Sequence, residues 1–129
     1  MTLPNGIKSI GKEVFFRCAS IKSIILPQNL IKIGDYAFYC CKELIDVELH
    51  SLYNLESIGE RAFSYCKSIE RIKLPKNIKK LSSGLFAHCE NLKEVFIPDH
   101  IVEIPDDCFE GCRSLKNINY YSKSEDIDV

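Results

Sequence analysis

Leu26–Glu48 reads LPQNLIKIGDYAFYCCKELIDVE, and the rest of the chain is that stretch written again. Phe recurs at Phe15, Phe38, Phe63, Phe86 and Phe109, in steps of 23, 25, 23 and 23 residues. Three residues after each Phe sits a Cys: Cys18, Cys41, Cys66, Cys89 and Cys112. Self-similarity at a period of this size marks a solenoid, in which each unit buries its apolar face against its neighbours. The units start at Leu3, Leu26, Leu49, Leu74 and Ile97, with residues 120–129 as a tail, so 1–129 reads as one domain.

Two periods alternate inside each unit. In the fourth, Leu85, Phe86, Cys89 and Leu92 keep the three-to-four spacing of a short buried helical face, whereas Val95, Phe96 and Ile97 step by two, as in a strand. One strand and one short helix per unit predict an α/β repeat. Pro4, Pro27, Pro75 and Pro98 follow the strand positions, where a residue without an N–H ends the ladder. Gly11, Gly34 and Gly59 precede the helical turn, where a positive φ is easiest for Gly. The third unit is longer by two residues, HSLYNLESIG against PQNLIKIG, and reads as a bulge that carries Leu52 and Tyr53 outward. The tail loses the repeat lattice after Tyr120 and should fray.

The pattern LPxxIxxIGxxAFxxCxxLxxIxL, matched by GDYAFYCCKELIDVEL and GERAFSYCKSIERIKLP, resembles the leucine-rich repeat of the BspA-like (Treponema pallidum type) family over Leu3 to Asn119. The resemblance implies a right-handed solenoid, a horseshoe with parallel strands on the concave face and short helices on the convex face. It also implies cell-surface proteins used in adhesion and protein binding. No signal peptide is visible in MTLPNGIKSIGKEV, and no terminal capping unit is recognisable.

The bulk numbers narrow the function. Lys+Arg total 17 against Asp+Glu 18, a net charge of −1, so no global field favours nucleic acid or an anionic membrane. No apolar run approaches the roughly 18 residues of a membrane span. His50, His88 and His100 fall at unrelated lattice positions, and no nucleophile-elbow, zinc-helix or phosphate-cradling motif is present, so neither an enzyme nor a cofactor is expected.

The five ladder cysteines lie one repeat apart. Helices packed roughly 8–10 Å from one another would hold them beyond the ~7 Å that a disulfide spans. They are therefore expected as reduced, buried thiols, with Cys108 also inside and Cys40 facing solvent.

The outward strand positions carry the functional expectation. They pair Ser23 and Ile25 with Asp46 and Glu48, then Arg71 and Lys73, Glu94 and Phe96, and Asn117 and Asn119. An acidic rung then sits beside a basic one, and Arg71 beside Glu94. Ile25, Asp46, Glu48, Arg71, Lys73, Glu94 and Phe96 are the candidate protein-binding residues. The alternative is a structural solenoid, or a fragment of a longer repeat protein, that self-associates through uncapped ends. The final DIDV, residues 126–129, carries the apolar pair that peptide-capturing domains accept.

Overall fold

The computed structural model describes residues 1–122. Eight short parallel strands run through it: β1 Ser9–Ile10, β2 Ser23–Ile24, β3 Lys32–Ile33, β4 Asp46–Val47, β5 Ser57–Ile58, β6 Arg71–Lys73, β7 Glu94–Pro98 and β8 Asn117–Tyr121. They fall on two faces of a solenoid of about five coils. One face carries β1, β3 and β5 in order, with Ile10, Ile33 and Ile58 in register. The other, the strand face, carries β2 with β4, and β6, β7 and β8 together. The first face was not anticipated, although an exposed Ser or Lys before a buried Ile recurs at 9–10, 32–33 and 57–58.

Turns, not helices, close each coil among the described residues. Tyr36 and Cys40 take φ of 57° and 60°, and Arg61 and Tyr65 take 53° and 62°. Left-handed residues four apart cannot continue an α-helix. They turn alternate peptides along the solenoid axis. Phe15 N donates to Ala37 O at 2.8 Å, Phe38 N to Ala62 O at 2.8 Å, Phe63 N to Leu85 O at 3.1 Å and Phe86 N to Cys108 O at 2.9 Å. The intervening N–H groups close local turns, Ala37 N to Gly34 O at 3.3 Å and Tyr39 N to Tyr36 O at 3.2 Å. Every three-residue turn returns a side chain to the same side, so Phe–x–x–Cys imitates a helical face without being one. We call this stack the turn face.

The core is a column. The Phe15, Phe38, Phe63, Phe86 and Phe109 rings stack at 5.2, 5.1, 5.9 and 5.9 Å between successive centroids. Leu30, Ile33, Leu44, Leu55, Ile69, Leu74, Leu92 and Ile97 are fully buried around it. Burial of such side chains contributes about 1.5–3 kcal/mol each, before the entropy of ordering them is subtracted.

Three further expectations are corrected. Leu52 is buried and only Tyr53 is exposed, because Leu49, Leu52 and Leu55 make two consecutive turns that feed all three leucines into the core. The strand β7 runs through Pro98, which pairs with Tyr121, and does not stop before it. The lattice likewise continues past Tyr120: Tyr121 is buried in β8 and its hydroxyl donates to Leu74 O. The DIDV motif lies outside the described residues.

Glycine also plays a different part from the one its position suggests. Gly34 and Gly59 lack positive φ; a Cβ on Gly34 would lie 2.7 Å from Lys12 N, and one on Gly59 would lie 2.6 Å from Gly34 C. They let successive coils touch backbone to backbone.

Candidate functional site

The strand ladder is interrupted once. β2 pairs with β4 and β6 with β7, but no register joins β4 to β6 among the described residues. The longer third unit lies between them. Its extra carbonyls are held from both sides, Gln28 Nε2 donating to Ser51 O at 2.7 Å and Asn77 Nδ2 to Tyr53 O at 2.6 Å. Lys76 Nζ lies 5.3 Å from the Tyr53 ring. The insertion is thus fixed in place, and the interruption becomes a depression of about 230 Å³.

Asp46 and Glu48 line one wall of this depression, Arg71 and Lys73 the other, with Phe96 beside the basic wall. Five of the seven residues named from sequence therefore meet here. Glu94 stands just outside, its Oε1 2.6 Å from Arg71 Nη2, and Ile25 lies two strands along from β6, 63% exposed. The alternation was read correctly on β7: Val95 and Ile97 are buried, while Glu94 and Phe96 are half-exposed. Ile45 and His50 join the walls and were not foreseen. His50 Nδ1 lies 3.4 Å from Glu48 Oε2. Only the break in the ladder brings these two in, and a repeat lattice does not announce it.

Charge is divided across the depression. Arg71 is tied to Glu94, and Lys73 Nζ lies 5.6 Å from the Tyr121 ring. An exposed pair such as Arg71–Glu94 contributes about 0–1 kcal/mol, so its value is orientation more than stability. Phe96 stands between Lys73 and Asn119 in the β6–β7–β8 register. The site can therefore offer an apolar ring beside the cations of β6, with the carboxylates of β4 facing those cations across the depression.

The cysteines belong to the scaffold. All seven are free thiols. The spacing argument from packed helices fails, because backbone hydrogen bonds between coils set a separation of ~4.8 Å, inside disulfide range. A different device occupies the sulfurs: Cys41, Cys66, Cys89 and Cys112 donate to Phe15 O, Phe38 O, Phe63 O and Phe86 O at 3.1, 3.2, 3.1 and 3.0 Å. Each thiol thus pins one coil to the phenylalanine of the coil before. Burial pushes Cys41 up to about 11 and Cys108 to about 12, and raises Cys66, Cys89 and Cys112 as well. Cys41, Cys66, Cys89 and Cys108 are buried; Cys18, Cys40 and Cys112 are half-buried. Among the described residues no cluster of His, Cys, Asp and Glu is placed to hold a metal ion, and no helix is long and apolar enough to cross a membrane.

The pattern has relatives. The BspA type leucine rich repeat region matches residues 1–116, in six copies. Among solved structures, the chain is similar to a leucine rich cell surface protein of Faecalibacterium prausnitzii at 31% identity and a TM-score of 0.88, over 98% of this chain and 32% of that one. A leucine rich repeat protein of T. pallidum matches at 28% identity and a TM-score of 0.69, over 92% and 67%. The pneumococcal vaccine antigen PcpA matches at 27% identity and a TM-score of 0.86, over 100% and 32%. The chain spans about a third of the length of the Faecalibacterium protein and of PcpA. No curated protein matches the chain.

Proposed function

This chain belongs to the BspA type leucine-rich repeat family, and on that premise we propose that it is a non-enzymatic protein-binding scaffold of the adhesion or surface-antigen kind. The observation that carries the reading is the depression at the break in the strand ladder, where oppositely charged walls face each other with Phe96 beside the basic one. An apolar ring with charges about it suits a protein segment: the ring supplies affinity and the charges supply register and steering. Asp46 and Glu48 would meet a basic side chain, Arg71 and Lys73 an acidic one, with Glu94 holding Arg71 in place and Ile25 extending the contact. The five units of 1–129 would act as one domain. A place at the cell surface fits relatives described as a cell surface protein and a vaccine antigen.

A displayed random-peptide library selected on the immobilised chain tests this. Enriched peptides should lose about thirtyfold in affinity on Phe96→Ala, a hot-spot cost near 2 kcal/mol. They should also weaken on Arg71→Glu with Lys73→Glu, and bind unchanged to Glu110→Lys on the turn face. Peptides indifferent to the strand-face changes, or lost on Glu110→Lys, would place the binding surface elsewhere.

A further inference from the structure

On the turn face of the first three coils, a second depression of about 330 Å³ is lined by Arg17, Tyr39, Cys40, Lys42, Tyr65 and Lys67. It holds three cations and no carboxylate. Elsewhere on the surface, cations pair across neighbouring coils: Lys79 with Glu56 at 3.0 Å, Lys93 with Glu70 at 3.2 Å and Arg113 with Glu90 at 3.2 Å. Lys42, Lys67, Glu90 and Arg113 all follow a ladder Cys directly, so they form one row. The row's only carboxylate is committed to Arg113. In a chain of net charge −1, three cations left together at one spot make a local anion site.

The floor of this depression is rigid. Arg17, Cys40 and Tyr65 take φ of 58°, 60° and 62°, and their N–H groups donate to Tyr39 O, Ser64 O and Ala87 O at 2.7, 2.8 and 2.8 Å. The rings are fixed too. Tyr39 stacks on Phe16 at 5.1 Å, Tyr65 on His88 at 4.6 Å, and the two tyrosines meet edge to face at 5.5 Å. Each ring has a neighbouring ring on either side along the axis, Tyr39 between Phe16 and Tyr65 and Tyr65 between Tyr39 and His88, and the two are too close for a base to enter between them. What remains for a ligand is phenol hydroxyls, ring edges and cations, held in place before binding.

We propose that this depression binds an acidic saccharide, a sugar carrying carboxylate or sulfate groups. The cations take the anion by charge-assisted hydrogen bonds, and the tyrosines meet the hydroxylated ring. The volume suits one or two sugar units at the small end of the range for ligand sites. A nucleic-acid strand is disfavoured because recognition of single strands needs uncovered aromatic faces on which bases stack. The site shares no lining residue with the strand-face depression.

Cys40 provides the assay, because its half-buried thiol lines the depression. The full chain is alkylated with iodoacetamide, and labelling of each cysteine is followed by mass spectrometry. Sulfated heparin oligosaccharides and carboxylated oligogalacturonates are compared with neutral dextran, inorganic sulfate and oligo(dT). One or both acidic sugars should slow Cys40 labelling about tenfold at ten times the dissociation constant, leave Cys18 unchanged, and lose the effect as salt rises. Which of the two acts identifies the anion. Lys42→Glu with Lys67→Glu should abolish protection, Lys42→Gln with Lys67→Gln should weaken it, and Arg71→Glu should leave it intact. No protection by either acidic sugar, equal protection by sulfate or oligo(dT), or protection that survives the Lys42 and Lys67 changes would overturn the proposal.

Discussion

Replacing Gly59 with Ala should destabilise the chain, whereas the same change at Gly11 should not. The two glycines hold the same place in the repeat, so a purely local account gives them equal weight. The structure separates them. A Cβ on Gly11 meets nothing nearer than Val14 Cγ2 at 3.6 Å, ordinary van der Waals contact, and its φ is not in the left-handed region. Ala there narrows the unfolded ensemble and should add about 0.4–1 kcal/mol. At Gly59 the new carbon would fall 2.6 Å from Gly34 C and against Asp35 N and Oδ1. Those atoms are backbone or tied to it, since Glu60 N donates to Asp35 Oδ1 at 2.8 Å and Gly59 N to Ile33 O at 2.8 Å. Separating the coils costs about 1–3 kcal/mol in overpacking, and each hydrogen bond stretched out of range costs about 1 kcal/mol more. A total near 3 kcal/mol with a urea m-value of about 2 kcal/mol/M lowers the midpoint by about 1.5 M. Urea titration followed by far-UV circular dichroism measures both variants. Equal losses at Gly11 and Gly59 would refute the close-approach account and return the glycines to a role in turn conformation.

Phe63→Ala removes a ring stacked on both sides and should cost about 3–5 kcal/mol; Phe96→Ala, on the outward side of β7, should cost about 1 kcal/mol or less. Chemical denaturation of the pair reverses the inward and outward assignment if the losses match. Burial holds Cys108 at about 12 and Cys41 at about 11, against an ordinary thiol value of 9.0, so the folded chain keeps protons that the unfolded chain has lost. Stability from these thiols is full below pH 9 and falls as pH rises through 11–12. Cys108→Ala, which installs the residue found at Ala37 and Ala62, should therefore lose less stability than the parent between pH 9 and 11; identical alkaline slopes would contradict the burial argument. With a selected peptide ligand, Lys73→Glu should slow association and change its salt dependence, while Phe96→Ala should mainly speed dissociation, both read by surface plasmon resonance.

The inward half of the fold was legible because burial imposes residue type. Phe38, Phe63 and Phe86 could be placed in the core from their period alone, and so could Ile33, Ile58 and Leu92. The convex helices were misread for a physical reason: a three-residue recurrence is produced equally by a helix and by consecutive turns. What separates them here is φ at Tyr36, Cys40, Arg61 and Tyr65, side chains with little preference for the left-handed region. The inter-coil hydrogen bonds that hold those residues there exist only once the coils stack. Leu52 went astray in the same way, since an insertion looks like a bulge until its carbonyls are seen held by Gln28 and Asn77. The thiol donors were hidden because Cys in a buried row passes for a small apolar residue. The strand-face site was half legible: Asp46, Glu48, Arg71, Lys73 and Phe96 follow from alternation, but the break that makes a concavity of them does not.

Recognition in this fold is written along the axis and not along the chain. Residues about 23 positions apart lie within one ladder spacing, ~4.8 Å, so an outward side chain answers first to the same position in the next coil. Arg71 and Glu94, Lys93 and Glu70, and Arg113 and Glu90 each neutralise one another in this way. A row that alternates in sign is therefore spent on itself and offers a partner little. Two departures leave chemistry available. One is the longer third unit, which interrupts the ladder so that the acidic rung at Asp46 and Glu48 faces the basic rung at Arg71 and Lys73 across a depression. The other is the run of one sign at Arg17, Lys42 and Lys67, where the carboxylate that comes round on the next coil, Glu90, is paired with Arg113. Both lie where the repeat fails to complement itself, and under the two proposals a partner would bind there by supplying the missing complement.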